Sequence, residues 1–255
     1  GKPIQEATVQ KYLTVVSAVL SDAKRNEIIQ RNPARMIDLP DTEHRQQFIP
    51  TDEQAQELIL ALLDEPYHYK LFYVLAMYTG CRRGELCALR WKDFVIVEKY
   101  RSVLTVSRSR TVVAGQGVVE GPTKNGRSRS MTISYYVVST LWSLYDFQKR
   151  MARENHRKVN PYLFANAQGS PIHPDTFTKH LRKLFQELGF PSSFHLHTLR
   201  HYFVSAMLHE GVDKQTVAEL AGHGDTSFLE RTYCHPQMKL KQEAAEKLEE
   251  ALFRF

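Results

Sequence analysis

From Thr8 to about Ile29, apolar residues return at three- and four-residue steps, as Val9, Leu13, Val16, Leu20 and Ala23. That period predicts one amphipathic helix. Asn32-Pro33 closes it, because the residue before a proline is pushed out of the helical region. The stretch from Asp38 to Pro50, DLPDTEHRQQFIP, is polar and bounded by prolines. It predicts an interdomain linker. A new helix starts at Thr51, with Gln54 completing a capping-box pattern and Leu58, Leu62 and Leu63 supplying its buried side. The next runs roughly from His68 to Tyr78 and ends at Gly80, and RRGELCAL opens a short third one.

Between Trp91 and Ser134 the pattern changes. FVIVE, SVLTVSR, TVVAGQGVV and SRSMTIS predict short strands, with glycines 115, 117, 121 and 126 at the turns. The helical period then returns at about Tyr135 to Arg153, Pro174 to Leu188, His197 to His209 and Lys214 to Ala221. A last amphipathic helix is predicted after Pro236, with Leu240, Ala244, Leu248 and Leu252 on one side. The expected fold is mainly α with a small antiparallel β-sheet inserted in the middle (α+β). Two domains are expected: residues 1–45, a helical piece plus linker, and residues 46–255.

Composition narrows the function. The 255 residues are 42% hydrophobic, enough for a sizeable core, and carry a formal net charge of +6. A basic chain favours an anionic partner, nucleic acid first and an acidic membrane surface second. No apolar run reaches spanning length and no signal peptide is visible. Cys81, Cys87 and Cys234 are odd in number and lack zinc-pair spacing, so they read as reduced thiols of an intracellular protein. The chain opens on Gly1 directly in a helical pattern, which suggests a fragment with an N-terminal portion missing.

Four segments carry candidate chemistry. In HLHTLRHYF, Leu196, Leu199, Phe203 and Met207 form an apolar helical stripe, while His197, Arg200 and His201 share a neighbouring one. The helix would bury the first and present the second to an anion. A zinc site at His197 and His201 is the weaker reading, because Arg200 between them repels a cation. In TGCRRGELCALRW, Arg82 stands at a helix start, where backbone N–H groups favour anions and a guanidinium fork suits phosphate oxygens. Pairing of Arg82 with Glu85 is compatible with that. GPTKNGRSRSMTI predicts a hairpin turning at Asn125-Gly126 and lined by Lys124, Arg127 and Arg129. From Lys99 to Met131 there are five arginines and two lysines against one glutamate, so Arg127, Arg129 and Arg108, with Arg83 upstream, are candidate DNA-phosphate contacts. Finally, AGHGDTSFLERTYCHP places Tyr233 ten residues after His223.

These segments, in this order, resemble the tyrosine recombinase family, also called phage integrases. TGCRRGE resembles its first arginine box, and Lys124 the lysine of its hairpin. HTLRH resembles the histidine-x-x-arginine box, AGH the LGH that carries a second histidine, and TYCH the nucleophile box. Thr198 stands where many relatives have aspartate, and Ala221 where leucine is usual; neither removes a charged group. The resemblance covers about Phe48 to His235 and is closest to integrases of conjugative transposons and of temperate phages of Gram-positive bacteria.

The resemblance implies a site-specific DNA recombinase that cleaves and rejoins strands through a 3′-phosphotyrosine, without metal, ATP or cofactor. Tyr233 would be the nucleophile, and Arg82, Lys124, His197, Arg200 and His223 the other catalytic residues. It implies residues 1–45 as the end of a DNA-clamping core-binding domain and a bacterial, cytoplasmic, DNA-associated location. The partners implied are double-stranded DNA at element ends and target, and further copies of the chain as dimer to tetramer on synapsed sites. An excisionase or DNA-bending protein would be an accessory, and the C-terminal helix would dock in cis or in trans on a neighbouring protomer. The alternatives are a type IB topoisomerase-like enzyme and a non-catalytic DNA-binding module.

Overall fold

The computed structural model describes residue 4 and residues 6–37, 48–98, 101–166 and 168–222. Two compact units divide the chain between Gln46 and Gln47. In the first, helix α1 (Glu6–Arg25) is followed by a 3-10 turn at Pro33–Met36. Asn32 joins the two: its carboxamide oxygen accepts from the Ala34 N–H, and its Nδ2 donates to the Ser17 carbonyl at 2.9 Å. Val9 and Val16, expected on the buried side of α1, are exposed, as are Tyr12, Val15 and Val19.

The second unit is built around α3 (Tyr67–Thr79), which is apolar on nearly every side and is buried from Leu71 to Met77. Such a helix must be surrounded. Helix α2 (Asp52–Ala61) enters ahead of it through the expected capping box, with Thr51 Oγ1 accepting from the Gln54 N–H and Gln54 Oε1 from the Thr51 N–H. Helices α5 (Tyr135–Glu154) and α7 (Leu196–His209) pack on α3. Helix α6 (Pro174–Glu187) joins through Phe177, whose ring stacks on Phe72 at 3.7 Å and whose carbonyl accepts from the Tyr73 hydroxyl at 2.9 Å. Short α4 (Arg83–Ala88) follows α3, and α8 (Lys214–Ala221) packs on α7 through Val217, Ala218 and Ala221 against Phe203 and Val204.

The expected single sheet is two. Strands β1 (Phe94–Glu98), β2 (Arg101–Val106) and β5 (Arg129–Ile133) form one antiparallel sheet, and β3 (Arg108–Val113) and β4 (Gly117–Pro122) form the other. The segment read as a hairpin around Asn125-Gly126 is therefore a crossing between sheets. The β3–β4 ladder ends at Arg108 opposite Pro122, where proline has no N–H to continue it. Residues 123–128 then form a loop, tightened by a turn in which the Gly126 N–H meets the Thr123 carbonyl at 2.8 Å. Thr123 Oγ1 also donates to the Arg127 carbonyl at 2.6 Å.

Candidate active site

Gly80 brings the first two elements of the site together. It ends α3 in the left-handed region, at φ 60°. A Cβ there would lie 2.3 Å from Phe203 Cδ1. Only glycine therefore lets α7 approach so closely, and the Gly80 carbonyl accepts a 2.6 Å hydrogen bond from Arg200 Nη1. Two residues later the chain is extended at Arg82 and turns into α4. Arg82 and Arg200, 118 positions apart in sequence, thus share one neighbourhood.

Glu85 is the hub of that neighbourhood and is fully buried. Its Oε2 accepts from the Arg82 backbone N–H at 2.9 Å and from Arg129 Nη2 at 2.6 Å, and its Oε1 from Arg82 Nη1 at 3.0 Å. Burial alone would raise its pKa, but Arg129 and Arg82 outweigh burial and hold the carboxyl below the usual range. Three guanidiniums against one carboxylate leave the centre cationic. Arg200 feels this directly: burial, then the Arg82 charge, pulls its pKa down to about 10, still a cation at pH 7.

The helix start at Arg82 was expected to offer its N–H groups to an anion. Glu85 already takes the Arg82 N–H. The helix that carries Arg200 was expected to turn a cationic side outward; Arg200 and His201 are instead 3% and 5% exposed. Helix α7 lies between α3 and α8, so its polar stripe is enclosed by protein and His197 alone of the three is exposed. The His197 ring sits edge-on to His201 at 4.6 Å. Surrounding protein, then the Arg200, His195 and Arg82 charges, pushes its pKa down to about 4, which leaves a neutral imidazole at pH 7. Thr198, the departure from aspartate, caps the helix by accepting from the His195 N–H at 3.1 Å.

The centre opens on a cleft of about 420 Å³ whose wall includes Arg82, Glu85, Asn125, Arg127, Arg129 and Gly222. Lys124 is exposed on the loop between two lining residues, Thr123 and Asn125. The Gly222 carbonyl accepts from Arg82 Nη2 at 3.0 Å and from Asn125 Nδ2 at 3.3 Å. His223 and Tyr233, like Cys234 and the helix expected after Pro236, lie outside the described residues.

The four arginines expected on phosphates differ in their surroundings. Arg127 is exposed and lines the cleft. Arg83 holds Asp175 at 2.7 Å and Thr178 at 3.0 Å, and Arg108 holds Asp93 at 2.9 Å. Arg129 faces inward, with 11% of its side chain exposed. Strand alternation explains this, because residue 129 shares a face with buried Met131 and Ile133. The same period was visible in the sequence but was outweighed by the basic composition of the segment. Asn125, read only as a turn residue, also belongs to the wall. Cys81 and Cys87 are buried free thiols, and among the described residues no helix is long and apolar enough to cross a membrane.

Known proteins share this sequence pattern and this fold. Over 252 residues the chain is 27% identical to the ICEBs1 integrase of Bacillus subtilis (strain 168), covering 98% of this chain and 67% of that protein. Its fold is similar to that of the Tn1549 transposon integrase in complex with a circular intermediate DNA (TM-score 0.80, 17% identity, 96% of this chain and 81% of that one). It is also similar to a lambda integrase tetramer bound to a Holliday junction (TM-score 0.58, 19% identity, 87% and 60%). The profile described as "Phage integrase family" matches residues 50–239. That span takes in all of the boxes from TGCRRGE to TYCH, and the chain belongs to the phage integrase family, the tyrosine recombinases.

Proposed function

We propose that the chain is a site-specific DNA recombinase, an integrase of a mobile element, and that the cleft around Glu85 receives the scissile phosphate. One observation carries the proposal. Arg82 and Arg129, from distant segments, hold a single buried carboxylate, and Arg200, tied to the Gly80 carbonyl two residues before Arg82, and His197 are near enough to feel the Arg82 charge. A cluster with that surplus of positive charge would be poorly stable without an anion to meet it.

The chemistry follows from the groups present. Tyr233 releases its phenolic proton to solvent and attacks the phosphorus as the phenolate; a P–O bond to the aryl oxygen forms, and the bond to the 5′ oxygen breaks. The products are a 3′-phosphotyrosine and a 5′-hydroxyl. A free phenol titrates near pH 10, and neighbouring cations favour the phenolate. Arg82 and Arg200 clamp the non-bridging oxygens as charge gathers on them, and His223 adds a donor. Neutral His197 donates one N–H to the phosphate, whose charge in turn raises the proton affinity of the ring. Lys124, exposed on a short loop, protonates the departing 5′ oxygen. The phosphotyrosine conserves the phosphodiester linkage, so the 5′-hydroxyl of another strand reverses the step without ATP.

Residues 1–45 are proposed as the end of a DNA-clamping domain. The likeness to integrases bound to DNA and to a tetramer on a Holliday junction supports double-stranded DNA and further copies of this chain as partners. An excisionase or DNA-bending protein is the accessory partner proposed, and the segment after Pro236 is proposed to dock on a neighbouring protomer.

The test is a nicked suicide substrate made from the element's ends. A denaturation-resistant protein–DNA adduct that forms with the native chain and is lost in Tyr233→Phe is the expected result. An adduct that persists in Tyr233→Phe assigns the nucleophile elsewhere and overturns the proposal.

A further inference from the structure

We infer that Arg129 is a positioning residue that locks the catalytic Arg82 to the end of α8, and so sets where the chain leaves for His223 and Tyr233. The inference rests on the recombinase reading above and assigns Arg129 a place inside the machinery rather than on the DNA backbone.

Arg129 uses its guanidinium in three directions. Nη2 reaches Glu85 Oε2 at 2.6 Å, and the same nitrogen lies 3.4 Å from Cys81 Sγ. Nε donates to the Leu220 carbonyl at 2.8 Å, in the last turn of α8. Nη1 faces Gly222, where a Cβ would come within 2.7 Å of it. Gly222 is the left-handed cap of α8, at φ 69°, so this glycine is required both by its backbone and by the arginine beneath it.

The result is a closed loop of contacts: Arg129 to Glu85, Glu85 to Arg82, Arg82 to the Gly222 carbonyl, and the α8 end back to Arg129. Three elements, β5, the start of α4 and the end of α8, are fixed by one planar cation. A lysine could supply the charge, but from a single nitrogen in place of the three-nitrogen fork. The apolar contacts of Val217, Ala218 and Ala221 go to α7, while Leu220 packs on the main core as well.

The loop also sets the charge on Glu85. The groups that face this carboxylate are Arg82 at the start of α4, Arg129 on β5, Arg200 on α7 and the Cys81 thiol before α4. Without Arg129 the buried carboxyl keeps one close cation and gains a proton more readily as pH falls. A protonated Glu85 is a poorer acceptor for Arg82, so cleavage should lose its acid-side activity at a higher pH than in the native chain.

The experiment measures single-turnover cleavage of the suicide substrate, across pH, for native chain, Arg129→Gln and Arg129→Lys, with DNA affinity and thermal melting measured on the same preparations. The expected result for Arg129→Gln is a cleavage rate lower by roughly ten- to a hundredfold, DNA affinity within a few-fold, and an acid limb moved to higher pH. In Arg129→Lys the acid limb should return towards the native position while the rate stays reduced, because charge is restored and geometry is not. If Arg129→Gln does not fold, the Arg129→Lys profile decides. Cleavage at the native rate in the folded variant overturns the inference. So does a loss that appears in DNA affinity alone, which would make Arg129 a phosphate contact. A native chain that forms no adduct sinks the recombinase reading itself, which separates the two failures.

Discussion

Replacing Glu85 by glutamine keeps the shape of the hub and deletes its charge. In the native chain the carboxylate accepts three hydrogen bonds, at 2.9 and 3.0 Å from Arg82 and at 2.6 Å from Arg129. The glutamine oxygen still meets one or two of these, but its amide directs two hydrogens at donors. Breaking a buried ion pair costs about 3–5 kcal/mol. With Arg82 partly open to solvent and the side-chain shape retained, the lower end, about 3 kcal/mol, is the expected loss. In a domain of this size that corresponds to a fall in Tm of roughly 6–12 °C.

The pH dependence has a fixed sign. The folded pKa of Glu85 lies below its unfolded value of 4.5, so the pair stabilises the fold fully above that pH and the benefit fades as pH falls through the lowered value. Urea unfolding of native chain and Glu85→Gln from pH 7 down to pH 3 checks both parts. The gap should be near 3 kcal/mol at pH 7 and should close towards acid. A gap under about 1 kcal/mol, or one that does not change with pH, would refute the assignment of Glu85 as a buried, ionised hub.

Further outcomes follow from the same structure. Gly80→Ala should destabilise the protein by about 2–4 kcal/mol, combining the left-handed backbone with overpacking against Phe203; equilibrium unfolding measures it. Arg200→Ala should lower single-turnover cleavage by on the order of a hundredfold or more, with DNA affinity retained in a gel-shift assay. Because guanidiniums and a lysine supply the positive charge in the proposed mechanism, cleavage should be unchanged by EDTA, and loss of the adduct on chelation would contradict it. His68 is held down to about 4 by burial and by repulsion from His180. The unfolded chain therefore binds its proton first, and the urea midpoint should fall as pH drops from 6.5 towards 4, a loss that His68→Gln should reduce.

The local pattern of the sequence determined most of the elements and the chemistry they carry. Helical patterns and their end signals located α2 to α8, Thr51 and Gln54 announced a cap that forms, and the arginine and histidine boxes were recognisable from residue type and spacing. These features are legible because helix capping and amphipathicity act over three or four residues. The partition of the strands was not legible: β4 and β5 are adjacent in sequence yet pair with different partners, and pairing is settled by long-range contacts. Nor was the fate of each charge. Arg129 reads as basic surface in a segment rich in arginine, and Arg200 as the outward side of an amphipathic helix, yet both are largely enclosed. Only the tertiary structure brings Glu85 to Arg129 and the Gly80 carbonyl to Arg200, because the cost of burying a guanidinium is met by an acceptor from a distant segment. No local pattern of residues encodes that meeting.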